Sequence, residues 1–156
     1  MKARTLKRIF SIWPPYRGAG IRVRHIADDY SEVIVTMSLH WYNRNYVSTH
    51  FGGSLYSMID PFYMLMIMHL LGNDYIVWDK SAAIKFIAPG TGTVTAHFRM
   101  TDAQVAEIRE KTAGGAPFLP EYGIDIVDEQ GAVVAKAVKR LYIRRKNRAG
   151  EIGGNA

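Results

Sequence analysis

Between residues 54 and 71 the chain runs through Leu, Met, Ile, Phe and Tyr with Asp60 as its one acid, and no winding of these residues leaves a polar side. A helix of this kind is enclosed on nearly every side by the rest of its protein. Gly72-Asn73 directly after it is a suitable helix stop. The fold must therefore wrap around one central helix. The densest part, residues 62–71, spans only ten positions and contains His69, and extending it backwards brings in Asp60 and Pro61. A membrane span needs ~20 mostly apolar residues, so the segment reads as a buried helix and no membrane is expected.

Strands supply the wrapping. Val33, Val35, Met37, Leu39 and Trp41 alternate with Glu32, Ile34, Thr36, Ser38 and His40, and period two over this length means a half-buried strand. Val94, Ala96, Phe98 and Met100 alternate in the same way with Thr93, Thr95, His97 and Arg99. Residues 21–27 and 76–87 read as further strands, and residues 122–127 and 133–143, joined by a turn over 128–131, read as a hairpin. Leu6, Ile9, Phe10 and Trp13 form the stripe of a short helix ended by Pro14-Pro15. Thr101-Asp102-Ala103-Gln104 is a capping-box pattern opening a helix to about Thr112. Helix, two strands, enclosed helix, two strands, helix, two strands is the order of an α+β layer fold with a mostly antiparallel sheet. At 156 residues it is one domain, expected over 1–148, with 149–156 a disordered tail.

The 48% hydrophobic and 22% charged composition is that of a globular protein. The absence of cysteine excludes disulfides, thiolate metal sites and a thiol nucleophile. No apolar core follows the basic N-terminus before Trp13-Pro14-Pro15, so a secretory signal is not expected, and a reducing, cytoplasmic setting is. His25, His40, His50, His69 and His97 are scattered without metal-ligand spacing. Much of the net charge of +6 lies in Lys136, Lys139, Arg140, Arg144, Arg145, Lys146 and Arg148. A solvated strand face accounts for most of that run. Nucleic-acid binding ranks last, because few aromatics accompany the run to stack on bases.

The chemistry concentrates in the stretch from Asn45 through His50, Phe51, Gly52 and Gly53 to Asp60. Two glycines at a helix start let a substrate approach the backbone, and they leave first-turn N–H groups free to meet negative charge. Asp60 comes seven residues after Gly53, as the only acid between Glu32 and Asp74. A carboxylate in apolar surroundings needs partners or a task. The competing reading takes Asp60-Pro61 as a helix N-cap followed by proline at the first helical position, which makes Asp60 structural; otherwise Pro61 kinks the helix or leaves one carbonyl near Ser57 free. Asn45 reads equally well as a turn residue, and His69 as a satisfied core or interface histidine.

Gly52-Gly53-Ser54-Leu55-Tyr56-Ser57-Met58-Ile59-Asp60 resembles the Gly-Gly-x-(Leu/Val)-x-(Ser/Thr)-(Leu/Met)-x-Asp signature of hotdog-fold acyl-CoA thioesterases of the phenylacetate-pathway type. Lys85-Phe86-Ile87-Ala88-Pro89-Gly90-Thr91-Gly92 is similar to the strand-end Pro-x-x-Gly segment of the same superfamily. The overall pattern is closest to the tetrameric acyl-CoA thioesterase subgroup. The resemblance implies a hotdog fold, a homo-oligomer (dimer or dimer of dimers), an acyl-CoA substrate and no cofactor. It also implies that the Gly53 N–H polarises the thioester carbonyl and that Asp60, supplied across a subunit interface, acts as general base or nucleophile. Asn45 matches the loop Asn that positions water or carbonyl. Gly52 and Phe51 flank the substrate, and Asp79 matches a polar residue after the helix, with Lys80 neutralising it or meeting a ligand. The chain departs from the family at Phe51, which stands where His is usual, with His50 one step earlier. Lys136, Arg140 and Arg144, alternating on one strand face, are candidates to meet CoA phosphates. The rival functions are a thioester-substrate hydratase or dehydratase and a non-catalytic acyl- or CoA-binding module.

Overall fold

The computed structural model describes residues 1–146, so the expected tail from 149 lies outside the described residues. Along the chain run α1 (Ala3–Ile12), α2 (Pro14–Ala19), β1 (Ile21–Ile26), β2 (Glu32–Ser38), α3 (Gly52–Ser57), α4 (Phe62–Leu71), β3 (Tyr75–Phe86), β4 (Thr93–Arg99), α5 (Asp102–Lys111), β5 (Glu121–Val127) and β6 (Val133–Arg145). The six strands form one antiparallel sheet in the order β1-β2-β4-β5-β6-β3, so β1 and β3 are its edges.

The alternating pattern sets the sheet's inner face. Val33, Val35 and Met37 of β2 pair with Phe98, Ala96 and Val94 of β4, and all six are at most 2% exposed. The α3–α4 segment lies across this face, with Met58, Ile59, Met66 and Ile67 wholly buried. Phe62 joins the layers, its ring 5.4 Å from Phe10 of α1 and 5.1 Å from Phe98 of β4. Thr101 caps α5 as its spacing indicates, with Oγ1 accepting from the Gln104 N–H and the Gln104 side chain accepting from the Thr101 N–H.

The kink expected at Pro61 is found, and three expectations need correction. The central helix is not continuous: Met58 to Pro61 form a turn between α3 and α4, because Pro61 lacks the N–H that would reach Ser57. The Ser57 carbonyl so released accepts the Tyr16 hydroxyl at 3.1 Å. By length and composition Gly52–Leu71 does reach the threshold for a membrane span, contrary to the shorter count, although here the segment packs on the sheet. The first helix buries Ala3, Leu6 and Phe10, while Ile9 and Trp13 keep about two-fifths of their surface exposed. Trp41 is outside β2 and 82% exposed, because the chain turns at Ser38. There Asn43 donates to the Ser38 and Ala19 carbonyls and accepts from the His40 N–H.

Strand β3 contains the bulge that matters most for the site. Asp79 pairs with Leu141 and Ser81 with Arg140, which leaves Lys80 unpaired between them. One extra residue reverses the alternation. Val77 and Asp79 face inward before the bulge, and Ala82, Ile84 and Phe86, opposite Lys139, Ala137 and Ala135, face inward after it.

Candidate active site

The loop before α3 is held from inside. Asn45 Oδ1 accepts from the N–H groups of Val47 and Thr49, and its Nδ2 donates to Thr49 Oγ1 and the His50 carbonyl. All of these bonds stay within the loop, so Asn45 acts there as a turn clamp. His50 follows as the anchor to the next segment. Its N–H donates to the Gly90 carbonyl at 2.9 Å, and its ring Nε2 lies 3.0 Å from the Gly92 carbonyl. With Nε2 donating, Nδ1 is left as a buried acceptor with no hydrogen bond among the described residues. Burial holds the imidazole below its ordinary pKa; the Gly92 bond opposes this in part and the nearby His40 adds to it. A Cβ on Gly90 would sit 2.9 Å from Val134 and 3.2 Å from the His50 ring, so any larger residue there would push these side chains aside.

Below this loop opens a cavity of about 620 Å³. Val47, Leu55, Phe86, Ile87 and Pro89 make its wall apolar, and Asn45, Thr49, His50 and Gly52 reach it from the loop and helix start. Aromatic rings lie against both glycines. A Cβ on Gly52 would be 2.9 Å from Phe86, and one on Gly53 would be 2.5 Å from the half-exposed ring of Phe51. Neither glycine's N–H has a backbone acceptor among the described residues, as expected in a first helical turn.

Asp60 is not the cap of α4. The cap position is Pro61, and no side chain bonds to the helix start. The Asp60 carboxylate meets Lys139 of β6 instead, Oδ1 to Nζ at 2.8 Å, with about half its side chain exposed. Lys139 Nζ also lies 3.1 Å from Asp79 Oδ2 and 3.4 Å from the Tyr56 hydroxyl, while the lysine itself is wholly buried. Burial works against the ammonium charge, yet the bonds and charges of the two aspartates outweigh it and hold Lys139 above the usual lysine value. Burial pushes the Asp79 carboxyl up, and Asp60's charge adds to this while Lys139 opposes it. Tyr56 is raised by burial and then by its bond to Asp60, and Tyr16 by burial and then by Asp60's charge. Both phenols remain protonated.

The candidates therefore fall into two groups. Asn45, His50 and Gly52 meet at the cavity, whereas Asp60 and Asp79 meet at Lys139. Lys80 is not Asp79's counter-ion; it is the exposed bulge residue, and Lys139 takes that role. Arg140 points to the other side of the sheet from Lys139 and stands 3.9 Å from Glu121, as Lys136 stands 3.7 Å from Asp125. Neither lies on the face of the cavity, because consecutive strand residues face opposite ways. Lys139 and Tyr56 were not singled out in the sequence. The signal for Lys139 was its phase: it falls in register with Ala135, Ala137, Leu141 and Ile143 on the inward row. Among the described residues no group of His, Asp and Glu is placed to hold a metal ion.

An antiparallel sheet curled about a central helix, with a cavity where that helix begins, is the hotdog fold. Solved structures agree on this architecture. Protein PA5026 of Pseudomonas aeruginosa, described as a probable thioesterase, superposes with a TM-score of 0.80 at 14% identity over 94% of this chain and 97% of its own. The thioesterase HI1161 of Haemophilus influenzae does so at 0.67 and 14% identity, over 98% and 96%. The phenylacetic acid degradation protein PaaI of Thermus thermophilus, in a mutant form, gives 0.56 and 20%, over 83% and 97%. The chain belongs to the family described as domain of unknown function DUF4442, whose model matches residues 2–143. No curated protein matches it.

Proposed function

We propose that this protein hydrolyses acyl thioesters, with acyl-CoA as the substrate class, in an assembly of at least two copies. The observation that carries the reading is the state of Asp60: its carboxylate is half open to solvent and is not used to cap a helix. The apolar cavity beside the paired glycines suits an acyl group, and the thioesterase names of the structural relatives point the same way.

In this mechanism the Gly53 N–H, at the start of α3, donates to the thioester oxygen as it becomes negative. Such a donor is worth about 3–4 kcal/mol when measured by its removal. Asp60 takes a proton from water as the water oxygen attacks the carbonyl carbon, or attacks that carbon itself. The C–S bond then breaks and the thiolate leaves and gains a proton; the acid is released directly where water attacked, or after water hydrolyses the acyl–Asp60 anhydride where Asp60 did. Base catalysis of this kind contributes ~10²–10⁴-fold.

Within one chain Asp60 lies seven residues beyond Gly53, in the turn that follows α3, with its carboxylate directed to Lys139 of β6. A base must come within about 3 Å of the proton it removes. The family resemblance implies that the Asp60 serving a given Gly53 comes from a second copy. The long free edge of β3, with Trp78 and Phe86 more than half exposed, suits the pairing that would bring it there.

The test is turnover of a panel of acyl-CoA esters by purified Asp60→Asn and Asp60→Ala. A loss of about 100-fold or more with the oligomer intact is expected. Unchanged turnover in both variants would remove Asp60 from the chemistry and this reading with it.

A further inference from the structure

We propose that Lys139 is a positioning residue, a buried cation that fixes the direction of the Asp60 carboxylate and ties its charge to that of Asp79. The inference deepens the hydrolase reading and relies on it only for its activity measurements.

The geometry accounts for every donor of the lysine. An ammonium has three N–H groups, and three acceptors surround this one: Asp60 Oδ1 at 2.8 Å, Asp79 Oδ2 at 3.1 Å and Tyr56 Oη at 3.4 Å. The Tyr56 ring also lies beneath it, 5.3 Å from Nζ to the centroid. Four separate pieces of chain converge here: α3 with Tyr56, the turn with Asp60, the β3 bulge with Asp79, and β6 with Lys139. Beyond these, Tyr16 of α2 senses the charge of Asp60, and Tyr122 of β5 pairs across the strands with Lys139.

Packing alone does not call for this arrangement. Lys139 occupies the inward row of β6 among Ala137, Leu141 and Ile143, where an apolar side chain fits and a buried ion pair is seldom the more stable choice. A single carboxylate would balance the ammonium, yet two are present, and they differ. Asp79 Oδ1 is buried with no hydrogen bond among the described residues, whereas about half of the Asp60 side chain is open. One cation thus faces a closed anion and an open one. Burial favours the neutral form of the closed carboxyl, the bond and charge of Lys139 oppose this, and the charge of Asp60 adds to it. Protonated Asp79 leaves the ammonium wholly to Asp60. The open carboxylate then keeps the direction that the ammonium sets, at 2.8 Å from Nζ.

The experiment measures pH profiles of acyl-CoA hydrolysis for wild type, Lys139→Met, Lys139→Arg and Asp79→Asn, alongside carbon-13 NMR titration of the Asp79 carboxyl in the full-length protein. Lys139→Met is expected to lower kcat by about 100-fold with KM changed less than about threefold, and to move the acid limb to higher pH, with Lys139→Arg recovering part of the loss. Asp79→Asn is expected to move the acid limb the other way, by about one pH unit. Independently of activity, Asp60→Asn should lower the Asp79 titration. If Lys139→Met does not fold, the Asp79→Asn profile and the NMR titration decide. The proposal is overturned if the acid limb stays in place in Asp79→Asn, or if the Asp79 titration ignores Asp60→Asn. A wild type without hydrolase activity but with a responsive Asp79 titration would retain the coupled trio and discard the reaction.

Discussion

Asp60 and Lys139 differ in how far the sequence reveals them, although they touch. Asp60 stands out because it is a lone acid in an apolar run at a set distance from two glycines. Lys139 is hidden among six other basic residues, and only its strand phase separates it from the exposed Lys136 and Arg140. Charge runs are usually solvated, and that expectation masks Lys139, the wholly buried member among the described residues. His50 shows the opposite case, as a residue with catalytic credentials whose ring Nε2 bonds a backbone carbonyl. Burial holds its pKa below the ordinary 6.5, so on acidification the unfolded chain takes up this proton before the native state does. Its contribution to stability is complete above about pH 6.5 and is lost as pH falls from there toward the native value. His50→Gln should therefore lose less stability than wild type between pH 7 and pH 5, as read by urea unfolding at each pH.

Among the elements, the strands were legible and the central helix only in part. Period-two alternation places Val94, Ala96, Phe98 and Met100 correctly because one face of the sheet is buried and the other is not. The all-apolar run 54–71 carries no such contrast, so nothing in its hydropathy marks the break at Pro61; the proline does, and either a kink or a cap was open. What the sequence could not supply is the long-range partner. Tyr16 comes from 41 residues away to satisfy the carbonyl that Pro61 leaves at Ser57. Tyr16→Phe keeps the ring packing against Phe10 and Phe62 and removes only that bond. It should cost about 1 kcal/mol in denaturant unfolding, with the sheet's circular dichroism unchanged.

On the scale of the whole molecule, the sheet closes around its helix and leaves β3 as a free edge of 12 residues. Long exposed edges invite pairing, and the proposed reaction, with Asp60 of one copy serving Gly53 of another, would use such a pairing. In a strand, neighbouring N–H groups point to opposite sides, so one of Ala82 and Ala83 directs its N–H away from β6. Of Ala82→Pro and Ala83→Pro, the variant at that position should give a folded monomer by analytical ultracentrifugation and lose hydrolysis. The other removes a bond within the sheet and should destabilise the fold. A folded, oligomeric and active protein from both would exclude β3 as the interface.

The unpaired Lys80 lets a single ribbon serve two tasks that ordinary pleating keeps apart. Asp79 and Phe86 are seven positions from each other, an odd number, so an unbroken zigzag would send one of them to the solvent side. Drawing Lys80 into the ladder at full strand length would thus force a choice between the carboxylate that answers the ammonium and the ring that walls the cavity.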